Sequence, residues 1–263
     1  MRIWKENKMR IFIKDKNEIR LMQESGEILA LVLSEMERKI APGIFTEDLD
    51  RLAEEIITSH GAKPAFKGYK GFPKTICSCI NEEIVHGIPG KRELKEGDII
   101  TIDCGVVYKD FYSDSAITRG VGIIKPEAEK LIKTSEKALK KAIEIAKPGI
   151  RIRDISRVIE KTVAKNGFSI IKDLVGHGIG KKLHEDPQIP NFVDKTDPGP
   201  LLQPGMTLAI EPIISAGNGE AKVGRDQWTY ITKDGSLSAQ TEHTIAITEK
   251  GCIILTKREA ENW

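Results

Sequence analysis

The sequence has no CxxC pair, no excess of either charge and no apolar run long enough to span a bilayer, and each absence narrows what it can be. Its four cysteines, Cys77, Cys79, Cys104 and Cys252, show no metal-binding spacing. Cys77 and Cys79 are too close for an ordinary disulfide and would share one side of a strand, so free thiols in a reducing cytosol are expected. With 41 basic against 39 acidic residues, no extended nucleic-acid or membrane footprint is expected. The longest aliphatic run, Ile28 to Leu33, falls far short of a membrane span, and the opening MRIWKENKMR lacks the apolar centre of a signal peptide. A soluble cytoplasmic protein is therefore expected. Residues 1–9 read as an unstructured N-terminal extension, with Met9 a second candidate start, and residues 10–263 as one domain.

What the sequence does have is a copy of itself. Residues 42–61, PGIFTEDLDRLAEEIITSHG, match residues 148–167, PGIRIRDISRVIEKTVAKNG, at a constant offset of 106 positions. Pro, Gly, Ile, Asp and the closing Gly coincide, Leu49 falls on Ile155, and Ile57 falls on Val163. Each block opens on a Pro-Gly turn, continues with helical spacing and stops at Gly. A second pair, LKEGDIITID (94–103) and LQPGMTLAIE (202–211), runs from a Gly turn into a β-run that ends in a carboxylate. Helical patterning precedes each copy, with Met22, Gly26, Leu29, Leu33, Met36 and Ile40 on one face of residues 18–40. Residues 126–146 do the same with Leu131, Ala138, Leu139, Ala142 and Ile145. The expected fold is α+β: two halves of helix, helix and antiparallel strands about a pseudo-twofold axis, spanning about 20–120 and 126–255. This period is too long for a solenoid.

Acids stand where acids are rare. Asp103 and Asp114 lie on two strand-like runs with ten residues between them, in ITIDCGVVYKDFYSDSAI. A turn near Tyr108-Lys109 would set them opposite each other, where like charges are destabilising unless a cation or a shared proton intervenes. Glu211 in MTLAIEPII and Glu242 in SAQTEHTIAIT also sit on β-runs. Asp103 and Glu211 occupy equivalent places in the two halves, so a site at the seam would draw acids from both. Three of the five histidines lie in Gly- or Pro-bounded turns: His86 in NEEIVHGIP, His177 in GHGIG and His184 in KKLHEDP. His60, ending a polar helix, reads as solvated, and His243 should point away from the face that Glu242 occupies. Four carboxylates with one or two imidazoles make a hard donor set suited to Mn, Fe or Co, with Zn admissible. That much negative charge suits two divalent ions better than one.

Taken in order, INEEIVHGIP, IDCGVVYKDFYSDSA, GHGIG with HEDP, AIEP and QTEHT resemble type I methionine aminopeptidase, of the pita-bread fold, over residues 10 to 256. The resemblance implies a single catalytic domain, a duplicated half with antiparallel sheet and helices outside, and metal ligands at Asp103, Asp114, His177, Glu211 and Glu242. It implies a metalloaminopeptidase that removes N-terminal methionine ahead of a small second residue, using a metal-bridging hydroxide. Glu211 would be the general base, His184 would bond the oxygen that becomes an oxyanion, and His86 would serve the scissile amide. The methionine pocket would draw on Tyr69, Phe72, Cys77 and Phe66, closed by Trp228. Leu183 departs from the bulkier residue of many relatives. The expected partners are N-termini of nascent polypeptides and the ribosome surface, with no sequence-specific nucleic acid, no membrane and a monomeric state. The lysines of residues 137–147 read first as a solvated helix face.

Three other readings compete. An Xaa-Pro peptidase would carry a further N-terminal domain, for which the ninety or so residues between the N-terminal extension and Asp103 leave no room. An inactive pita-bread binding module would have lost ligands. A type II enzyme would insert a helical subdomain between Glu211 and Glu242, where only thirty residues lie.

Overall fold

Asp15 sets the start of the first helix, α1 (Lys16–Lys39): its carboxylate accepts from Glu18 N at 2.9 Å while Glu18 Oε2 accepts from Asp15 N at 3.1 Å. Downstream the apolar stripe is buried as its spacing requires, with Met22, Leu29, Leu33 and Met36 all at 0% exposure. Gly26 lies in the same stripe because a Cβ there would run into the backbone of Leu255. The helix can approach that turn only without a side chain. This computed structural model describes residues 10–261, and the extension expected at residues 1–9 lies outside the described residues.

The first half continues with α2 (Thr46–Ser59), β1 (Lys63–Pro64), β2 (Ile76–Ile80), β3 (Glu83–Val85), β4 (Ile99–Tyr108) and β5 (Phe111–Gly120). β4 is the centre of an antiparallel sheet, pairing with β5 and with β2 and the short β1. α1 and α2 cover this sheet, packing Leu29, Leu33, Met36, Leu49 and Ile57 against Ile76, Ile100, Ile102 and Ile117. Each such buried side chain contributes about 1.5–3 kcal/mol relative to exposure, an upper figure because the unfolded chain already buries part of it.

The second half repeats the plan with α3 (Pro126–Ile145), α4 (Ile152–Lys165), β6 (Ser169–Ile170), β7 (Val175–Gly178), β8 (Glu185–Pro190), β9 (Thr207–Ile210), β10 (Ile213–Ser215), β11 (Ala221–Val223), β12 (Tyr230–Thr232), β13 (Ser238–Gln240), β14 (His243–Ile247) and β15 (Cys252–Ile254). Pro126 occupies the first turn of α3, where its missing N–H costs nothing. The five-stranded antiparallel sheet runs β15-β14-β9-β7-β8, and its core joins α3 and α4 to Leu208, Ile210, Ile245 and Ile247. On α3 the last apolar turn buries Ile143 rather than the expected Ile145, which is half-buried. The duplicated α+β architecture anticipated from the repeat is present: a helix pair outside an antiparallel sheet, twice. Among the described residues no helix is long and apolar enough to cross a membrane.

The two sheets are stitched at a seam. Glu242 N donates to Ala116 O at 2.9 Å, Ser115 Oγ donates to Glu242 O at 2.6 Å, and Thr244 Oγ1 donates to Asp114 O at 2.7 Å. One expectation fails here. Asp103 and Asp114 are not directly opposite, because Asp103 pairs with Ala116 and Asp114 with Gly105. The chain turns at Lys109 and Asp110, both at positive φ (49° and 65°), one residue later than expected. The side chains still share one face, since Asp103 and Gly105 are two residues apart on β4.

Candidate metal centre

Five side chains meet where the halves join. Asp103 comes from the middle of β4 and Asp114 from β5, while His177 comes from β7. Glu211 follows the last residue of β9, and Glu242 precedes the first of β14. His177 Nε2 lies 3.8 Å from Asp114 Oδ2 and 3.8 Å from Glu211 Oε1. One donor atom each from Asp114, His177 and Glu242 falls within 4.8 Å of the others. Asp114, His177 and Glu242 are buried, and Asp103 and Glu211 are half-buried.

The electrostatics show that protein alone does not balance this cluster. Burial pushes the Asp103 carboxyl up to about 7, opposed by its hydrogen bond with Asp114. Burial also raises Asp114 well above the carboxylate range, followed by repulsion from Glu242 and Asp103. Glu211 is raised by burial and then by Asp103 and Asp114, and Glu242 by burial and then by Glu211 and Asp103. Three of the acids keep a buried oxygen with no hydrogen-bond partner: Asp103 Oδ1, Asp114 Oδ1 and Glu242 Oε1. Unpartnered buried oxygens are uncommon in folded proteins, and the three carboxylate oxygens so left among the described residues all belong to one cluster. His177 completes the donor set. Its Nδ1 stands 2.9 Å from Gly178 O, and a carbonyl only accepts, so Nδ1 carries the proton and Nε2 offers a lone pair. Burial lowers its pKa to about 4, so the ring is neutral at physiological pH. An oxygen-rich set with one imidazole fits hard or borderline divalent cations, which would neutralise the acids and satisfy the orphaned oxygens.

Two more histidines border the cluster. The ring of His184 lies 4.3 Å from that of His177, centroid to centroid. Tyr69 stacks on it at 5.4 Å and brings its hydroxyl to 3.0 Å from His184 Nδ1. Burial, then His177, Lys70 and His86, lower the His184 pKa to about 2. His86 sits at positive φ (60°) just after β3, with its ring edge-on to Tyr230 at 5.9 Å. Solvent reaches it, yet enough protein surrounds it that lost hydration, then Lys70, lower its pKa. His60 and His243 stay apart from this group, as their positions suggested. His60 is exposed at the end of α2, and His243 faces away to Thr256 and Glu261.

An apolar cluster adjoins the acids and contains the residues expected of a methionine pocket. Phe66, Phe72, Cys77 and Leu183 are buried in it, with Tyr69 and Trp228 packed against them. Trp228 stands edge-on to Phe72 at 5.3 Å. Cys77 pairs with Asp103 in register, and its thiol is pushed well up by burial and then by Asp103. All four cysteines are free.

Sequence reasoning passed over several neighbours. Gln240 Nε2 donates to Glu211 Oε2 at 3.2 Å, and Asn191 Nδ2 to Glu211 O at 2.9 Å. Gln240 stands within the QTEHT motif, so that amide was in view. Lys70 was not, because a lysine in a glycine-rich loop gives no sign of which histidines it will face. Tyr112, packed on the same apolar cluster, was equally silent.

The model of metallopeptidase family M24 matches residues 20–249. The chain is 51% identical to a methionine aminopeptidase of Clostridium perfringens, over 94% of this chain and 98% of that protein. It is 48% identical to methionine aminopeptidase 1 of Bacillus subtilis, over 94% of this chain and 99% of that protein. Among solved structures, a methionine aminopeptidase of Thermotoga maritima superposes with a TM-score of 0.92 at 46% identity, covering 95% of this chain and all of that one. A prolidase of Pyrococcus horikoshii is more distant, with a TM-score of 0.77 at 26% identity, and only 64% of that chain is covered.

Proposed function

The chain belongs to metallopeptidase family M24, and on that footing we propose that Asp103, Asp114, His177, Glu211 and Glu242 hold its divalent metal. It is a metalloaminopeptidase of the methionine aminopeptidase kind, which removes N-terminal methionine by hydrolysis. The observation that carries the ligand assignment is the set of orphaned oxygens on Asp103, Asp114 and Glu242, gathered with the unprotonated Nε2 of His177. Two ions are proposed, since four acids exceed what one divalent cation neutralises, and Mn, Fe or Co suit the donors, with Zn admissible. Bound there, such ions supply a nucleophilic water at neutral pH and polarise a carbonyl oxygen.

The chain's own side chains do the rest. Glu211, whose carboxyl is raised by burial and by its acidic neighbours, takes the proton from the attacking water. His184 is the oxyanion donor. Tyr69, with its phenol pKa raised by burial, keeps its proton and donates it to Nδ1, which leaves the proton of the neutral ring on Nε2 and directed away from Tyr69. His86, held at the cleft by its turn, serves the leaving nitrogen. Tyr69, Phe72, Cys77 and Trp228 form the apolar pocket for the methionine side chain, whose flexible thioether suits aromatic faces. Substrates are the N-termini of nascent polypeptides with a small second residue, met in the cytoplasm by a monomer at the ribosome surface.

The test incubates manganese- or cobalt-loaded protein with Met-Ala-Ser and Ala-Pro peptides. Free methionine from the first peptide alone is expected. Cleavage of neither, with metal bound, would overturn the reading in favour of a binding module, and cleavage of the second would favour an Xaa-Pro peptidase.

A further inference from the structure

The segment preceding α1 crosses the molecule to the turn that carries His184. Arg10 N donates to Asp186 Oδ2 at 2.8 Å, and Ile11 forms a parallel bridge with Asp186. Lys14 N donates to Gly205 O at 2.8 Å, fixing the backbone just before the helix. The Lys14 side chain then turns inward. Its Nζ lies 2.5 Å from Glu185 Oε2, with side-chain exposures of 5% and 3%. The ammonium also donates to Phe12 O at 3.1 Å, and the other Glu185 oxygen accepts from Lys182 N at 3.2 Å.

A buried ion pair is costly to assemble and contributes little net stability, so its value is best sought in what it holds in place. Here that is a short turn. Gly180 closes GHGIG, and its N–H donates to Lys182 O at 3.1 Å while its carbonyl accepts from Tyr112 N at 2.8 Å. A Cβ on Gly180 would run into Lys14 Cε and stand 2.7 Å from Nζ and 2.9 Å from Glu185 Oε1. The third glycine of the motif is thus the floor on which the ion pair rests. Glu185 is the residue next to His184, so anchoring its side chain fixes the backbone from which the His184 ring projects toward His177 and Tyr69.

We propose that Lys14 is a positioning residue for the reaction: by pairing with buried Glu185 across the Gly180 floor, it holds His184 at the angle needed to bond the substrate oxygen. The inference rests on the role given to His184 above. Lys14 itself touches no reacting group. Without it the Glu185 carboxylate is stranded in a buried place and moves toward water, and the turn moves with it. Misplacing a catalytic group by about 1 Å can cost on the order of a hundredfold in rate.

The experiment compares Lys14→Met, Lys14→Arg and Glu185→Gln in the metal-loaded full chain, alone and in a His184→Ala background. It reads kcat and KM for methionine release from Met-Ala-Ser, metal content, and, in protein loaded with diamagnetic zinc, the imidazole NMR signals of the five histidines. Lys14→Met should lower kcat about ten- to a hundredfold, with KM within about threefold and metal content unchanged. Lys14→Arg should recover most of the loss, and in the His184→Ala background Lys14→Met should add less than about a twofold effect. The His184 signal should shift in Lys14→Met while that of His60 stays. Should Lys14→Met not fold, Glu185→Gln gives the same readouts. An unmoved His184 signal, a kcat loss that multiplies with His184→Ala, or a loss that tracks metal content would each overturn the proposal. Absence of methionine release by the unsubstituted protein would sink the functional reading instead, and the NMR comparison would still decide the positioning.

Discussion

Tyr69 lies flat on His184, ring centroids 5.4 Å apart, with its hydroxyl 3.0 Å from the near ring nitrogen. One side chain thereby both shields the imidazole and, donating its hydroxyl proton as proposed above, fixes its tautomer. Removing the hydroxyl alone tests the second effect. Tyr69→Phe keeps the stack but frees Nδ1 to take the proton, and a lost hydrogen bond of about 1 kcal/mol corresponds to several-fold. We expect kcat for methionine release to fall about fivefold to tenfold with KM little changed. A raised KM with kcat unchanged would assign Tyr69 to substrate binding only.

Metal removal should destabilise the protein, because the four raised acids then face each other without a counter-ion. The sharper expectation concerns a substitution. In metal-free protein at pH 8, Asp114→Asn removes the acid that contacts the others most closely and should raise stability by about 1 kcal/mol. With metal present the same change should lower it. Calorimetric scans with chelator and with manganese would read both signs. A destabilisation in both conditions would mean that like-charge repulsion does not govern this cluster.

Gly26→Ala sets two effects against each other. Alanine in a helix interior is worth about 1 kcal/mol over glycine, whereas a Cβ here would strike the backbone of Leu255, which cannot rotate aside. Overpacking of this kind costs about 1–3 kcal/mol or more, so a net destabilisation is expected in urea unfolding. A stabilised variant would show that α1 can shift away from residues 255–256 at little cost.

Cys252 should be a slow nucleophile whose reactivity climbs with pH. Burial lifts its thiol from 9.0 to about 11, and its sulfur donates to Ile143 O at 3.4 Å. Only the thiolate reacts, so at pH 8 alkylation in the native protein should run about a hundredfold slower than in denatured protein. The native rate should rise about tenfold per pH unit until near pH 11. A rate that levels off near pH 9 would refute the raised pKa, and mass mapping of the alkylated peptide would confirm the site.

The acids were readable because they broke a local rule. Asp103, Asp114, Glu211 and Glu242 each interrupt an apolar β-run, and the internal repeat set Asp103 and Glu211 in matching places. The helices were readable from the 3.6-residue stripe, confirmed at Met22, Leu29, Leu33 and Met36. The strand register was not, since Lys109 and Asp110 adopt positive φ without the glycine that normally advertises such a turn. Nor was the Lys14–Glu185 pair, whose members stand 171 residues apart in the chain.

From the sequence alone came the duplicated α+β plan, the acids with His86, His177 and His184, and the expectation of a hydrolytic metal site. These follow from periodicity and from charges placed where a lone charge is costly. Only the folded chain decided which oxygens would be left without partners, which nitrogen of His177 would face them, and what would brace His184. Those outcomes depend on contacts between the halves and across their turns, and no local pattern encodes them.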